Sequence, residues 1–311
     1  MNRDQDKLQA GWYYRLSLFF KERFGKPVYK IPLDAGFSCP NRDGTVGTGG
    51  CSYCYNPSFS PFSGEKPPSL REQILKSKKK SRKTLYLAYF QAYTNTYAPV
   101  EKLKVLYDQA LSDDEVIGLS IATRPDCISE EIIDLLEGYA ARCHVWIEYG
   151  LQSAHDETLK RINRGHDSAA FTKAMELTAS RGIFICAHII LGLPGESKEM
   201  MLATIDFLNQ CKIDGIKFHH LQIIRGTPLA SDYEEGLIEV FDQPGHYIDL
   251  LCDCLERLSP DCVIHRLASQ ASSKDLLIAP HWPVGSGQLA SMVESELKRR
   301  GTYQGALFKN S

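Results

Sequence analysis

The 311 residues predict an α/β chain of six successive strand-then-helix units, preceded by a short helical extension and followed by a second helical one. Two observations carry this. Short β-branched and aromatic runs alternate with capped amphipathic runs from Val28 to Leu221, at roughly 30 residues per unit. Strand-helix-strand passages of that length imply parallel strands with right-handed crossovers, hence a barrel or an open doubly wound sheet. Composition agrees: 43% hydrophobic and 24% charged residues are ordinary for a globular chain. No apolar run reaches the ~18 residues a membrane span requires.

Taken in order, Leu8 to Phe24 mixes Trp12, Tyr13, Leu16, Phe19 and Phe20 with Lys21, Glu22 and Arg23, as an amphipathic helix does, and Gly25-Lys26-Pro27 ends it. Val28 to Leu33 is the first strand. Ser69 and Glu72 form a capping-box pattern that opens a helix towards Lys80, and Thr84 to Phe90 is the second strand. Helix Pro99 to Leu111, strand Glu115 to Ile121 and a helix capped by Ser129 follow. Strand His144 to Tyr149 and helices near Asp156 to Asn163 and Ser168 to Arg181 make the fourth unit. Strand Ile183 to Leu191, helix Ser197 to Cys211 and strand Gly215 to Leu221 complete the alternation. Past Gly226-Thr227-Pro228 the rhythm weakens to helices at Tyr247 to Leu258 and Gln288 to Arg300. The resulting division is 1–27 (extension), 28–230 (core) and 231–311 (a tail expected to cover the barrel mouth rather than add a unit).

Chemistry concentrates in the loop after the first strand. Cys39, Cys51 and Cys54 stand at C-x11-C-x2-C with glycines at 44, 47, 49 and 50, a backbone able to wrap a compact inorganic group. Three thiolates are one ligand short of a structural zinc site, and the next histidine is the distant His144. A four-iron cluster fits better, because three thiolates leave one iron open for a small molecule. Tyr53, between the last two cysteines, offers a flat surface beside them. The charged N-terminus and ten cysteines without a secretory signal lead us to expect reduced thiols in the cytoplasm. A net charge of −2 gives no global attraction to nucleic acid.

Later segments then carry a resemblance. Ile121-Ala122-Thr123-Arg124-Pro125-Asp126, Glu148 to Ser153, Asn163-Arg164-Gly165-His166 and His188 to Glu196 follow the cysteine loop in an order that resembles the radical S-adenosylmethionine (SAM) superfamily. The wide first spacing is similar to its Elp3-like and coproporphyrinogen-oxidase-like branch, and the whole chain resembles bacterial proteins of the YhcC/YtqA type. The resemblance implies a partial (β/α)6 TIM-like barrel. It implies a [4Fe-4S] cluster on Cys39, Cys51 and Cys54, SAM chelated at the open iron, and an external flavodoxin- or ferredoxin-like electron donor. Reductive cleavage would then yield a 5′-deoxyadenosyl radical that takes hydrogen from an organic substrate. The Elp3 likeness implies a tRNA wobble uridine, and the oxidase likeness a small porphyrin-like molecule. A different class, a non-catalytic electron carrier or scaffold, needs only the three cysteines.

The same resemblance assigns Arg164 to the cofactor carboxylate and Gln152 to a polar cofactor contact. Where the superfamily has Gly-Gly-Glu, this chain has Phe90 to Thr96, so Gln91, Thr94 and Asn95 become the candidates. Thr123 and Arg124 stand where an acidic ribose contact is found in the oxidases, with Glu148 as the substitute. No residue receives a catalytic role.

Other features have plainer readings. The remaining seven cysteines are expected as small buried hydrophobes, since Cys252 and Cys254 face different sides of a helix and suit a second cluster with Cys262 poorly. The basic run Lys76 to Lys83 is expected as a solvated helix end, with an RNA backbone as the other reading. Of His219 and His220, one should point inward; His265-Arg266 and Ala279 to Pro283 belong to the covering tail.

Overall fold

Parallel strands buried on both faces organise the molecule. The computed structural model describes residues 11–309 apart from 56–57, 59–61, 63–66, 79–83 and 270–274. In chain order the strands are β1 (Val28–Leu33), β2 (Leu85–Phe90), β3 (Val116–Thr123), β4 (His144–Gln152), β5 (Phe184–Leu191), β6 (Gly215–His220), β7 (Ile223–Ile224), β8 (Val263–Arg266) and β9 (Leu277–Ala279). One curled parallel sheet has the order β1-β2-β3-β4-β5-β6-β8, while β7 and β9 pair antiparallel apart from it. The order follows the chain without reversal, which excludes a doubly wound sheet, and β1 and β8 remain unpaired with each other, which makes the barrel partial.

The helices are α1 (Leu16–Phe24), α2 (Leu70–Ser77), α3 (Val100–Ala110), α4 (Glu130–Ala140), α5 (Asp156–Arg161), α6 (Ser168–Thr178), α7 (Lys198–Gln210), α8 (Pro228–Glu234), α9 (Pro244–Arg257) and α10 (Ser286–Arg300). Ser69 and Glu72 cap α2 reciprocally as expected, and Ser129 and Ser197 accept the amide protons of Ile132 and Met200. Alternate strand residues such as Ile31, Ala88, Leu119, Ile147 and Ala187 form the main core with these helices. Residues of the opposite parity face the barrel lumen, and several of them are polar: Lys30, Tyr89, Ser120, Glu148, His188 and Lys217.

The lumen is closed at the floor by α1. Phe20 and Trp146 are buried there, and Phe19, Phe20 and Phe24 pack their rings against His144 at centroid distances of 5.8, 5.8 and 5.4 Å. Burial lowers the His144 imidazole to about 3, so it joins this cluster as a neutral ring. The helix begins at Leu16, not Leu8; Leu8 to Ala10 lie outside the described residues. The Tyr14 carbonyl instead accepts from the Ile264 amide at 2.7 Å, so Tyr14-Arg15 covers the free edge of β8.

The C-terminal region corrects the expectation that no unit follows the sixth. Helix α9 leads back to β8, a seventh parallel strand against β6. Four residues, Val263-Ile264-His265-Arg266, are too few to show a period in sequence. Its place is held by tertiary contacts, including Gln304, whose side chain donates to the Ser259 and Cys262 carbonyls. Cys252, Cys254 and Cys262 are buried in the core, as expected of small hydrophobes.

Truncating the plug tests this packing. Phe20→Ala should lower unfolding free energy by about 3 to 5 kcal/mol, read as a shift of the denaturant midpoint at unchanged slope. A loss under about 1 kcal/mol would mean α1 is not a floor of the barrel.

Candidate metal and cofactor site

The site begins with the long β1-to-α2 connection. Cys39 opens a tight turn in which its carbonyl accepts from the Arg42 amide at 2.8 Å, and the Gly50 amide returns to the Asn41 carbonyl at 2.8 Å. Gly50 has φ +83, and a Cβ there would meet Arg42 Nε at 2.9 Å, so this position demands glycine. The backbone then delivers Cys51 and Cys54, whose own amide closes on the Cys51 carbonyl at 2.9 Å.

A second turn, Asn163-Arg164-Gly165 after α5, docks on this loop. Asn41 Nδ2 donates to the Asn163 carbonyl at 2.7 Å, and Asn163 Nδ2 donates to the Gly50 carbonyl at 2.8 Å. Arg164 is buried, with Nη1 3.5 Å from Cys51 Sγ and Nη2 2.6 Å from the Gly150 carbonyl; its Nε has no protein partner. Arg124 supports it from the end of β3, donating to the Arg164 carbonyl at 2.9 Å while its fork pairs with Asp126 at 2.8 and 2.7 Å.

These charges act on the thiols. Burial alone would raise Cys51, but the Arg164 charge and hydrogen bond, with the Arg124 charge, reverse the sign and favour its thiolate. Cys54 is pushed up to about 11 by burial and by the neighbouring Cys51, against the pull of Arg42. The three sulfurs do not all lie within 4.8 Å of one another. A single tetrahedral ion would draw thiolates to about 3.8 Å from each other, given metal-sulfur bonds near 2.3 Å. Sulfurs not gathered on one point and a guanidinium group beside Cys51 fit a larger anionic cluster.

Cys39, Cys51 and Cys54 line one chamber together with Tyr53, Gln91, Thr94, Glu148, Gln152 and Arg164. Gln152 ends β4 at a register irregularity with φ +75, a left-handed conformation unusual for its side chain. Thr94 is buried, and its amide donates to the Ser38 carbonyl at 3.2 Å. Asn95 lies outside the chamber lining: its amide is spent on the Phe90 and Ala122 carbonyls at 3.1 and 2.8 Å, joining β2 to β3. Thr123 shares its hydroxyl with Thr96 at 2.6 Å.

Glu148 has a different setting from the other candidates. It is fully buried, Oε1 accepting from Lys30 Nζ at 2.5 Å and from Ser120, Oε2 from His188 Nε2 at 2.7 Å and from Lys217. Its acceptor positions are therefore filled from within the protein. Burial would raise this carboxyl, yet Lys217, Lys30 and His188 hold it well below the usual range. Burial lowers Lys30 to about 8 and, with Lys217, lowers His188 to about 4, so His188 is a neutral donor. Glu148 and His188 also approach Cys186, but with two ammonium groups on the carboxylate this trio is no cation site.

His219 faces the chamber, its Nδ1 3.2 Å from Ser269 Oγ, whereas the His220 ring stacks on Trp282 at 4.0 Å. Of the basic run, Lys79 to Lys83 lie outside the described residues, and Lys78 pairs with Asp113 and Glu115. Sequence reasoning missed Asn41, Arg42, Lys30 and Lys217 as parts of the site. Single lysines inside apolar strands were the available signal for the last two, because an unpaired lysine is seldom buried.

Comparison with known proteins identifies the family and the fold. The radical SAM superfamily model matches residues 43–208. The chain belongs to the radical SAM superfamily. A radical SAM C-terminal domain model matches residues 213–299, which include β8. Protein YtqA of Bacillus subtilis is 39% identical over 301 residues, covering 96% of this chain and 93% of that one. Protein YhcC of Escherichia coli K12 is 40% identical over 262 residues, 84% of either chain. Among solved structures, an archaeal Elp3 from Methanocaldococcus infernus superposes with a TM-score of 0.63 at 18% identity. That match covers 89% of this chain and 64% of the Elp3 chain, and it confirms the fold of this radical SAM chain. No helix among the described residues is long and apolar enough to cross a membrane.

Two predictions follow from the charges. Cys51→Ala should abolish iron retention after anaerobic reconstitution, and an unchanged iron-to-protein ratio would remove Cys51 from the ligand set. An unfolded lysine holds its proton to about pH 10.5, whereas folded Lys30 releases it near 8. Between those values the unfolded chain binds more protons, so Lys30's contribution to stability rises with pH there and is constant below. The stability difference between wild type and Lys30→Met should therefore change from pH 8 to 10.5; a flat difference throughout would contradict the assignment.

Proposed function

We propose that this chain is a radical SAM enzyme holding a [4Fe-4S] cluster on Cys39, Cys51 and Cys54, reduced by a flavodoxin- or ferredoxin-like donor and acting on a tRNA wobble uridine. The observation that carries the reading is the convergence of three thiols, Arg164 and Gln152 on one chamber. A mere electron carrier needs the thiols and has no use for the rest. When bound, the cluster and SAM supply a 5′-deoxyadenosyl radical.

The chain's own residues prepare for that chemistry. Arg42 and Arg164 offset the negative charge of the thiolates, and Asn41 with Asn163 fixes the loop that presents them. Arg164, Gln152, Gln91 and Thr94 offer fixed donors along the wall for the polar groups of SAM, and Tyr53 a flat face for its rings. The floor plugged by α1 keeps bulk water from the lumen. The tRNA assignment rests on likeness to the Elp3 fold; a small organic substrate is the competing one.

Anaerobic, cluster-loaded protein reduced in the presence of SAM should release 5′-deoxyadenosine; none above background would refute the enzyme reading. Arg164→Ala should weaken SAM binding at least about tenfold while iron content holds, as expected for a lost charged fork. The modified-nucleoside profile of tRNA from cells lacking the protein should change, and an unchanged profile would transfer the assignment to a small molecule.

A further inference from the structure

Beneath the thiols the chamber carries more positive charge than it neutralises. Lys30, Lys217 and Arg266 reach it or its floor, and Glu148 is the one carboxylate in its lining among the described residues. Both lysines are committed to Glu148. The Arg266 side chain makes no hydrogen bond or ion pair among the described residues. It is half-buried in the chamber wall at the end of β8, the strand furthest in sheet order from the cysteine loop.

The backbone places it there. Across from β6, Ile216 pairs with Ile264 but Lys217 pairs with Arg266, so His265 is the extra residue of a bulge. Both consecutive side chains thereby face inward: His265 Nδ1 lies 3.1 Å from Lys30 Nζ, and Arg266 enters the chamber. Beside it, His219 Nε2 is shielded from solvent and has no partner. Burial and the Arg266 charge hold this imidazole well below its usual range, so it is neutral and free to donate.

An unpaired guanidinium and an unpaired imidazole nitrogen in one chamber are costly unless something pairs with them. From this geometry we infer that Arg266, with His219, binds a small oxyanion group of the substrate, a carboxylate or a phosphate, at the β8 wall of the chamber. A planar fork of fixed N–H groups suits either group, and Glu148 keeps Lys30 and Lys217 from competing for it. The inference rests on the proposed function only in calling that anion part of the substrate.

Calorimetric titration of the cluster-loaded, SAM-saturated protein tests it, with acetate, inorganic phosphate and the neutral acetamide as probes. Wild type should bind one equivalent of acetate or phosphate and no acetamide, the preferred probe identifying the source of the anion. Arg266→Gln should weaken binding at least about tenfold and Arg266→Lys by less, since the lysine keeps the charge and loses the fork. The exposed Arg225→Gln should change nothing. Equal binding of acetamide, or unchanged anion affinity in Arg266→Gln at wild-type iron content and melting temperature, overturns the inference. So does anion binding that disappears when SAM is added, because Arg266 would then serve the cofactor's own carboxylate. Anion binding with no release of 5′-deoxyadenosine would instead refute the enzyme reading and leave the oxyanion site standing.

Discussion

Much of this structure depends on one docking: the Asn163-Arg164-Gly165 turn against the cysteine loop. Asn41 donates to the Asn163 carbonyl and Asn163 to the Gly50 carbonyl, each across more than a hundred residues of sequence, and an arginine is pressed on the middle thiol. Buried backbone carbonyls must find donors, and a loop with this many glycines has little rigidity of its own. The turn supplies both donors and confinement. It also explains why Gly165 has no side chain, since a Cβ there would crowd Asn41 Oδ1 at 2.8 Å.

The electrostatics are layered along the barrel axis. Around the thiols, Arg42, Arg124 and Arg164 favour negative charge, as a thiolate-bound cluster requires. Lower down, one carboxylate is surrounded by two ammonium groups, a hydroxyl and an imidazole, and each of its oxygens is satisfied. Such a buried network is weak evidence of stability, because desolvation consumes most of the Coulombic gain. Its better use is to hold side chains at defined places inside a lumen that apolar residues would simply fill. At the floor, aromatic rings from α1 do fill it.

The C-terminal region completes the chamber as well as the sheet. Helix α9 returns the chain to β8, whose exposed edge is covered by Tyr14-Arg15 and whose bulge turns His265 and Arg266 inward. Termini distant in sequence thus meet on one strand, with Gln304 bonding the Tyr14 amide on one side and the Cys262 carbonyl on the other. The extensions at either end are structural parts of the barrel wall and floor.

Much was legible in the sequence because it is written in local patterns. Six strands, their capped helices and the three-cysteine loop each depend on residues within a few positions of one another, and each is found near its expected bounds. The family resemblance likewise rests on short segments in a fixed order. Only the tertiary structure decided what depends on distant partners. It chose the curled sheet over the doubly wound one, because strand order is a property of crossovers and not of any strand. It added β8, whose four residues are held by neighbours far away in sequence. It also set Glu148 apart from the other cofactor candidates, because the two lysines that flank its buried carboxylate come from β1 and β6, strands far apart in sequence, and no local pattern records that they meet.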